Sequence, residues 1–316
     1  MLAHSIDTLT DNRGLATIVD WLRWTYSRFN EHDLYYGHGS DNSWDEANHL
    51  ILQALSLPWD VSPALYGSKI TETEAKHLAH LVRRRIQERI PVAYLLKSAW
   101  FAGMPFYVDE RVLIPRSPVA ELLLEGLSDW LDGVEITDIL DLCTGSGCIG
   151  IACAMAFPET RVDLLDVCPD ALQVAQINID KHELWERVST IESDLFAGLS
   201  PACKGRYQLI ISNPPYVDDE DLAFMPQEYH HEPKLGLVAG EDGLDLVRVI
   251  LAKAADYLAC DGLLVLEVGN SRDALERTFT DLPFVWPEFA HGGHGVCLLR
   301  AADLKQAHQP ESAVSV

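Results

Sequence analysis

Basic residues are scarce in this 316-residue sequence: 24 lysines and arginines stand against 48 aspartates and glutamates, a formal net charge of −24. A field of that sign repels phosphate backbones and attracts basic partners, most strongly at low salt. Direct DNA binding is therefore not expected, and a basic protein partner is favoured. Long hydrophobic runs are missing too. No apolar stretch approaches the roughly 18 residues that a membrane span needs. The opening, residues 1–15, has no basic segment leading into an apolar one, so no secretory signal is expected. The seven cysteines (Cys143, Cys148, Cys153, Cys168, Cys203, Cys260 and Cys297) contain no CxxC pair. Without a secretory signal they read as reduced, mostly buried small residues, and no metal site is expected of them. These absences make the cytoplasm the expected address and exclude a membrane partner.

What is present divides into blocks. Hydrophobic residues make up 48% and charged residues 23%, an ordinary globular balance with material for more than one core. Residues 1–97 read as a helical bundle. Ile18, Trp21, Leu22, Thr25 and Phe29 recur at spacings of about three and four, as do Leu50, Ile51, Ala54 and Leu55. Thr71 to Glu74 forms a capping-box pattern ahead of Leu78, Leu81, Val82 and Ile86, and Pro91 stops that run. Trp21, Trp24, Trp44 and Trp59 read as core or groove aromatics. Arg83, Arg84, Arg85 and Arg89 form a basic cluster in an acidic chain. A solvated helix face is its plain reading and an RNA contact its sharper one.

Residues 98–118 read as a β-hairpin linker. Phe101, Phe106, Tyr107, Val108, Val112, Leu113 and Ile114 flank Asp109-Glu110, which is taken as the turn. From 119 to 300 strand and helix patterns alternate. Strands are expected over 136–142, 161–167, 188–192, 207–212, 263–268 and 296–300, with helices over 147–156 and 170–182. That alternation indicates an α/β fold: a Rossmann-like, doubly wound, mainly parallel sheet. Residues 301–316 are polar, small and aperiodic, so a disordered tail is expected. No internal repeat is visible.

Asp141 to Gly150 (DLCTGSGCIG) follows the first of these strands and opens a helix. Gly145, Gly147 and Gly150 satisfy the spacing of a nucleotide-binding turn, where bare backbone lets a ligand approach main-chain amides. The spacing alone does not separate a nicotinamide cofactor from S-adenosylmethionine. Asp166, at the end of the next strand, stands where a carboxylate accepts from ribose hydroxyls. Asp194, after the third strand, stands where such folds meet the adenine.

Asn213-Pro214-Pro215-Tyr216 follows the strand over 207–212. Two prolines in a row have fixed φ and no amide hydrogens, so the loop is stiff and leaves carbonyls free to accept. A conjugated amide or aromatic amine nitrogen is a poor nucleophile. Two acceptors gripping its N–H groups orient the lone pair toward a sulfonium methyl, and preorganised acceptors act where charge develops. Tyr216 can wall such a pocket and stack on a flat amide. A nicotinamide oxidoreductase accounts for the glycine turn and leaves this loop unexplained. His230, His231, His291 and His294 lack the accompanying ligands a metal requires.

Over residues 90–300 the chain resembles the HemK family of class I methyltransferases, the N5-glutamine methyltransferases. The likeness rests on Pro91-Val-Ala-Tyr-Leu, residues 106–116, Asp141 to Gly147, Asp166, Ser193-Asp194, Asn213 to Tyr216, Glu232-Pro233, Gly240 to Gly243 and Leu266-Glu-Val-Gly269. The resemblance implies S-adenosylmethionine as cofactor, lined by Asp141, Cys143, Thr144, Gly145, Ser146, Gly147, Asp166, Asp194, Leu195 and Asn213. It also implies that Asn213, Pro214, Pro215 and Tyr216 grip a glutamine amide. The family usually carries tryptophan where this chain has Leu195. After Pro115-Arg116 the chain continues Ser117-Pro118-Val119-Ala120-Glu121, similar to the branch that modifies a large-subunit ribosomal protein (L three). The branch acting on peptide release factors reads Pro-Arg-Pro-x-Thr-Glu there. The helical block and hairpin would then read the protein substrate, free or within an assembling ribosomal particle. Glutamine methylation of a peptide chain release factor, methylation of exocyclic amines in nucleic acid and a non-enzymatic ribosome-assembly role are the competing readings.

Overall fold

The computed structural model of the protein describes residue 12, residues 14–217 except 126 and 132, residue 221, residues 224–290 and residues 292–307. Two compact units emerge: residues 1–99 with 226–231, and residues 100–225 with 232–316. No helix among the described residues is long and apolar enough to cross a membrane.

The first unit is helical: α1 (Ile18–Glu31), α2 (Ser43–Ala54), α3 (Glu72–Gln87) and the short α4 (Val92–Leu96). Thr17 and Thr71 close reciprocal capping boxes with Asp20 and Glu74, which satisfies amides that a helix start leaves orphaned. Trp21, Leu22, Phe29, Leu50, Ile51, Leu78 and Val82 form the core. Trp24 is buried with them, whereas Trp44 and Trp59 are exposed.

Inside that core lies a charged knot. The Arg85 guanidinium donates to Glu46 (2.6 Å), to Glu228 (3.0 Å) and to the Tyr35 carbonyl (2.7 Å). Arg89 donates to the carbonyls of Asp33 and His32, and Arg84 pairs with Glu88. The arginine cluster is therefore not a basic surface. Arg85 and Arg89 are spent on internal partners and Arg84 on a surface pair, which weakens the RNA-contact reading.

The hairpin lies seven residues earlier than its apolar flanks suggested. Its strands are β1 (Ala99–Phe101) and β2 (Met104–Phe106). The turn is Ala102-Gly103, both with positive φ (47° and 75°), the backbone that two-residue hairpin turns require. Asp109 does open a turn, its carbonyl accepting from the Val112 amide at 3.1 Å, but no strand pair among the described residues flanks that turn. Asp109 is buried, accepts from Tyr107 Oη at 2.9 Å and pairs with Arg111 at 2.7 Å.

The second unit is the doubly wound sheet. Its strands are β3 (Asp138–Leu142), β4 (Arg161–Asp166), β5 (Val188–Glu192), β6 (Tyr207–Ser212), β7 (Leu258–Glu267) and β8 (Val296–Arg300). They run in the order β5-β4-β3-β6-β7-β8, all parallel except the antiparallel β8. The helices are α5 (Val119–Glu125), α6 (Leu127–Trp130), α7 (Cys148–Ala156), α8 (Pro169–Lys181), α9 (Asp245–Tyr257), α10 (Arg272–Thr278) and α11 (Ala301–Ala307).

Alternate residues of each strand feed opposite faces. Ile139, Leu209, Ile211 and Val265 join the α5, α7 and α8 side, and Leu140, Leu142, Ile210 and Leu264 join the α9 and α11 side. The chain past residue 300, expected to be aperiodic, begins with α11, whose Ala301 and Leu304 are buried. Residues 308–316 of that tail lie outside the described residues.

Candidate functional site

The strand order reverses at the β3/β6 pair: the chain moves outward to β4 and β5 from one side of β3 and to β6 and β7 from the other. In open α/β sheets, ligands bind at the carboxyl ends of strands flanking such a point. Leu142 pairs with Ser212, so Cys143 and Asn213 leave neighbouring strands at the same level. Adjacent strands lie about 4.8 Å apart, so the glycine turn and the diproline loop start side by side. Ser212 Oγ fastens the two by donating to the Leu142 carbonyl at 2.9 Å.

The glycine turn is braced from beneath. Asp141 is fully buried, and its Oδ2 accepts from Thr144 Oγ1 (2.5 Å) and the Gly150 amide (2.9 Å). Its Oδ1 is buried with no hydrogen-bond partner. Burial pushes this carboxyl up to about 7, against the pull of the Thr144 and Gly150 donors. Asp166 bonds the turn from the side, Oδ2 accepting from the Gly145 amide and Oδ1 from the Cys168 amide, both at 2.9 Å. Not all of its lone-pair positions are taken, so it can still accept from a ligand. Above Gly145 the space is open: an added Cβ would meet nothing within 4 Å. The Ser146 carbonyl is held by Asn178 Nδ2 at 2.9 Å.

Asn178 is the bracing residue that sequence reasoning missed. It is completely buried, and it also exchanges two bonds with the Tyr107 backbone (2.7 and 3.0 Å). An asparagine within an amphipathic helix carried no signal of that role. Cys143 gives no nucleophile, because burial drives its thiol well above the ordinary range.

Asp194 is exposed, whereas Leu195 beside it is buried with φ of 49°. Ser193 Oγ shapes this third loop, donating to the Leu195 carbonyl (2.5 Å) and accepting from the Gly198 amide (2.8 Å).

The diproline loop is pinned at both ends. After Tyr216, Val217 bridges to Val238 through bonds with the Leu237 carbonyl (2.8 Å) and the Ala239 amide (3.0 Å). Pro214 and Pro215 are buried and Asn213 is half-buried. The Asn213 carboxamide forms no hydrogen bond with the described residues, so its oxygen stays available.

Two further motif strings meet away from this loop. Arg116 forms a two-pronged pair with Glu232 (2.6 and 2.8 Å), which also accepts from the Ile114 amide at 3.0 Å. Glu121 accepts from the Ala290 amide. Among the described residues no group of three or more metal-ligating side chains is assembled. His231 bonds the Glu88 carbonyl, and His291 lies outside the described residues.

Comparison with known proteins accords with this geometry. The methyltransferase small domain family matches residues 118–228. A ribosomal protein uL3 glutamine methyltransferase of Francisella tularensis is 49% identical over 292 residues, covering 92% of this chain and 92% of that protein. Its Neisseria meningitidis counterpart is 47% identical over 291 residues, 92% of this chain and 95% of that protein. The chain belongs to the ribosomal protein uL3 glutamine methyltransferase family. It is a methyltransferase. Among solved structures, a T. thermophilus 16S rRNA methyltransferase in complex with AdoMet and guanosine is similar at 20% identity and TM-score 0.45, over 64% of this chain and 49% of that one.

Proposed function

We propose that this methyltransferase moves the methyl group of S-adenosylmethionine to the side-chain amide nitrogen of a glutamine in large-subunit ribosomal protein uL3. The observation that carries the reading is the placement of Asn213, with a free carboxamide on a doubly pinned diproline loop, beside the glycine turn. The names of the two bacterial relatives supply the substrate. The acidity of the chain supports a basic protein partner. Residues 100–316 hold 36 acidic and 14 basic residues, net −22, against 12 and 10, net −2, in residues 1–99. A field centred on the methyltransferase unit speeds encounter with a cationic protein and disfavours nucleic acid.

The residues present fit the cofactor. The open space over Gly145 admits a ligand against main-chain amides, the spare lone pairs of Asp166 suit ribose hydroxyls, and the orphaned Asp141 Oδ1 awaits a donor or a cation. Leu195 and Asp194 border the adenine side. S-adenosylmethionine supplies an electrophilic methyl group on a sulfonium. Everything else falls to the chain. The Asn213 oxygen and a main-chain carbonyl of the loop accept the two amide hydrogens of the target and turn its lone pair toward the glycine turn. Tyr216 stacks on the flat amide. As the nitrogen gains positive character, the same acceptors stabilise it, and after the N–C bond has formed one amide proton is lost to solvent water. No covalent enzyme intermediate is required.

Transfer of radiolabelled methyl by the purified protein to undermodified uL3, but not to a peptide release factor or to DNA, is the expected outcome. Label on the release factor or DNA alone would overturn the substrate assignment.

Asp141 gives a second expectation. A cationic ligand favours its ionised form, and its carboxyl sits near 7 because of burial. Cofactor affinity, measured calorimetrically, is therefore expected to strengthen as pH rises from about 5.5 to 7, by up to about tenfold per unit. Asp141→Asn should flatten that slope, and an equal slope in the variant would refute the assignment.

A further inference from the structure

Two motif strings that the transfer chemistry does not use, those of Ser117 and Glu267, meet Tyr216 of the diproline loop at one buried carboxyl. Glu267, the last residue of β7, is 4% exposed. Its Oε1 accepts from the Tyr216 hydroxyl at 3.2 Å, and its Oε2 accepts from the Ser117 hydroxyl. Ser117 Oγ in turn accepts from the Val119 amide at 3.1 Å, which fixes its donor direction at the start of α5.

The tyrosine is held on its other sides by glycines. A Cβ at Gly269 would lie 2.4 Å from the Tyr216 ring, and one at Gly243 would lie 2.3 Å from the Tyr216 carbonyl. Ser271 Oγ donates to that carbonyl at 3.3 Å. The ring therefore lies flat on bare backbone, and its hydroxyl has Glu267 as a fixed acceptor.

We propose that Glu267, anchored by Ser117, is a positioning residue for methyl transfer that fixes Tyr216 and enriches its ring with electron density by accepting a hydrogen bond from its hydroxyl. The proposal rests on the function assigned above. A phenol donating to a carboxylate makes a stronger, charge-assisted bond than one donating to a neutral group. Its ring face becomes more negative and attracts the positive charge that develops on the target nitrogen, as a ring face attracts any cation.

Only the ionised carboxylate accepts from both hydroxyls; once protonated, it must present its own proton to one of them. Burial pushes Glu267 up to about 7, against the pull of Ser117, Tyr216 and the Arg116 charge. The charged and titratable groups facing it are Tyr216 and Arg116, and Arg116 shares its charge with Glu232. Its strand neighbours Leu266 and Val268, and Val296 across the ladder, carry none. A single titration near neutrality therefore switches the tyrosine between two acceptors of different strength.

The test is a kcat-against-pH profile at saturating S-adenosylmethionine, with undermodified uL3 as acceptor, for the native protein, Glu267→Gln, Glu267→Ala and Tyr216→Phe. Native kcat is expected to rise several-fold through about pH 7. Glu267→Gln keeps both hydrogen bonds without the charge, so it should hold kcat at the native low-pH level with no step. Glu267→Ala should lose about tenfold or more. Tyr216→Phe should erase the step, and adding Glu267→Gln to it should change nothing further. The KM for S-adenosylmethionine should stay within about twofold throughout, because the cofactor lies at the glycine turn.

A Glu267→Gln profile superimposed on the native one, or a loss confined to KM, overturns the proposal. Should Glu267→Ala fail to fold, Glu267→Gln and Tyr216→Phe still decide. Absence of transfer to uL3 by the native protein would instead fault the functional assignment itself.

Discussion

Replacing Asn213 with alanine is expected to lower kcat by about 10²-fold or more, the usual cost of removing one positioned polar group where charge develops. Cofactor affinity should change far less. Asn213 stands beside the glycine turn only through the register of β3 and β6, whereas Asp141, Asp166 and the turn amides are the residues proposed to hold the cofactor. Asn213→Asp keeps an oxygen acceptor in the same place and should retain more activity than the alanine variant. Because the carboxamide forms no hydrogen bond with the described residues, its removal leaves no buried partner stranded. Thermal stability should therefore hold. A kcat loss below about threefold, or one explained by weakened cofactor binding, would separate Asn213 from the chemistry.

The largest stability effect is expected at Arg85. Its guanidinium is 1% exposed and lies between Glu46 and Glu228, both equally hidden. Burial pushes the Glu46 carboxyl up, and the Arg85 charge and hydrogen bond pull it back. Glu228 is buried too, yet donors from Arg85 and the Tyr35 amide hold it below the ordinary range. Arg85→Ala leaves Glu46 with no counter-charge and Glu228 with only the longer Arg89 pair at 3.4 Å, and breaking a buried pair typically costs about 3–5 kcal/mol. Arg84→Ala, which breaks only the surface pair with Glu88, should cost about 0.5 kcal/mol or less. Denaturant unfolding of both variants checks the contrast. Equal small losses would mean that the knot contributes little to the helical unit.

That knot also marks where sequence reading stops. The arginines at 83–89 present a run of like charge, and nothing local shows that Arg85 meets a carboxylate 143 residues away. The return of residues 226–231 to the helical unit leaves no periodic trace, since five residues in a short helical turn (Gln227–His231) carry neither repeat nor cap.

The hairpin turn was missed for a different reason. Asp109-Glu110 has turn-like composition and does form a turn, but the two paired strands flank Ala102-Gly103, where Gly103 permits the positive φ that a hairpin turn needs. Helix α9 also lacked a legible start, because Leu244 gives it no side-chain cap. By contrast, β5, β6 and β8 were legible to the residue. Of these, β6 is a buried parallel strand, a short and mostly apolar run bounded by Arg206 and the two prolines.

The site divides the same way. The glycine turn, Asp166 and the diproline loop are local motifs whose backbone needs are written in neighbouring residues. Their braces are not. Asn178, Ser117, Glu267 and Gly269 act through contacts with residues distant in the chain; Asn178 is unremarkable in its own segment, and the strings that hold the other three gave no sign of those contacts. Arg116 and Glu232 were visible only as separate strings, and the structure joins them in one pair.

Tandem mass spectrometry of uL3 treated with the purified protein and S-adenosylmethionine tests the central claim most directly. The predicted result is one added methyl group on the side-chain amide of a glutamine, present with the native protein and lost with Asn213→Ala. A methyl group on a lysine, an arginine or a terminal amine would contradict the account, since none of those nitrogens needs a rigid pair of acceptors to expose its lone pair.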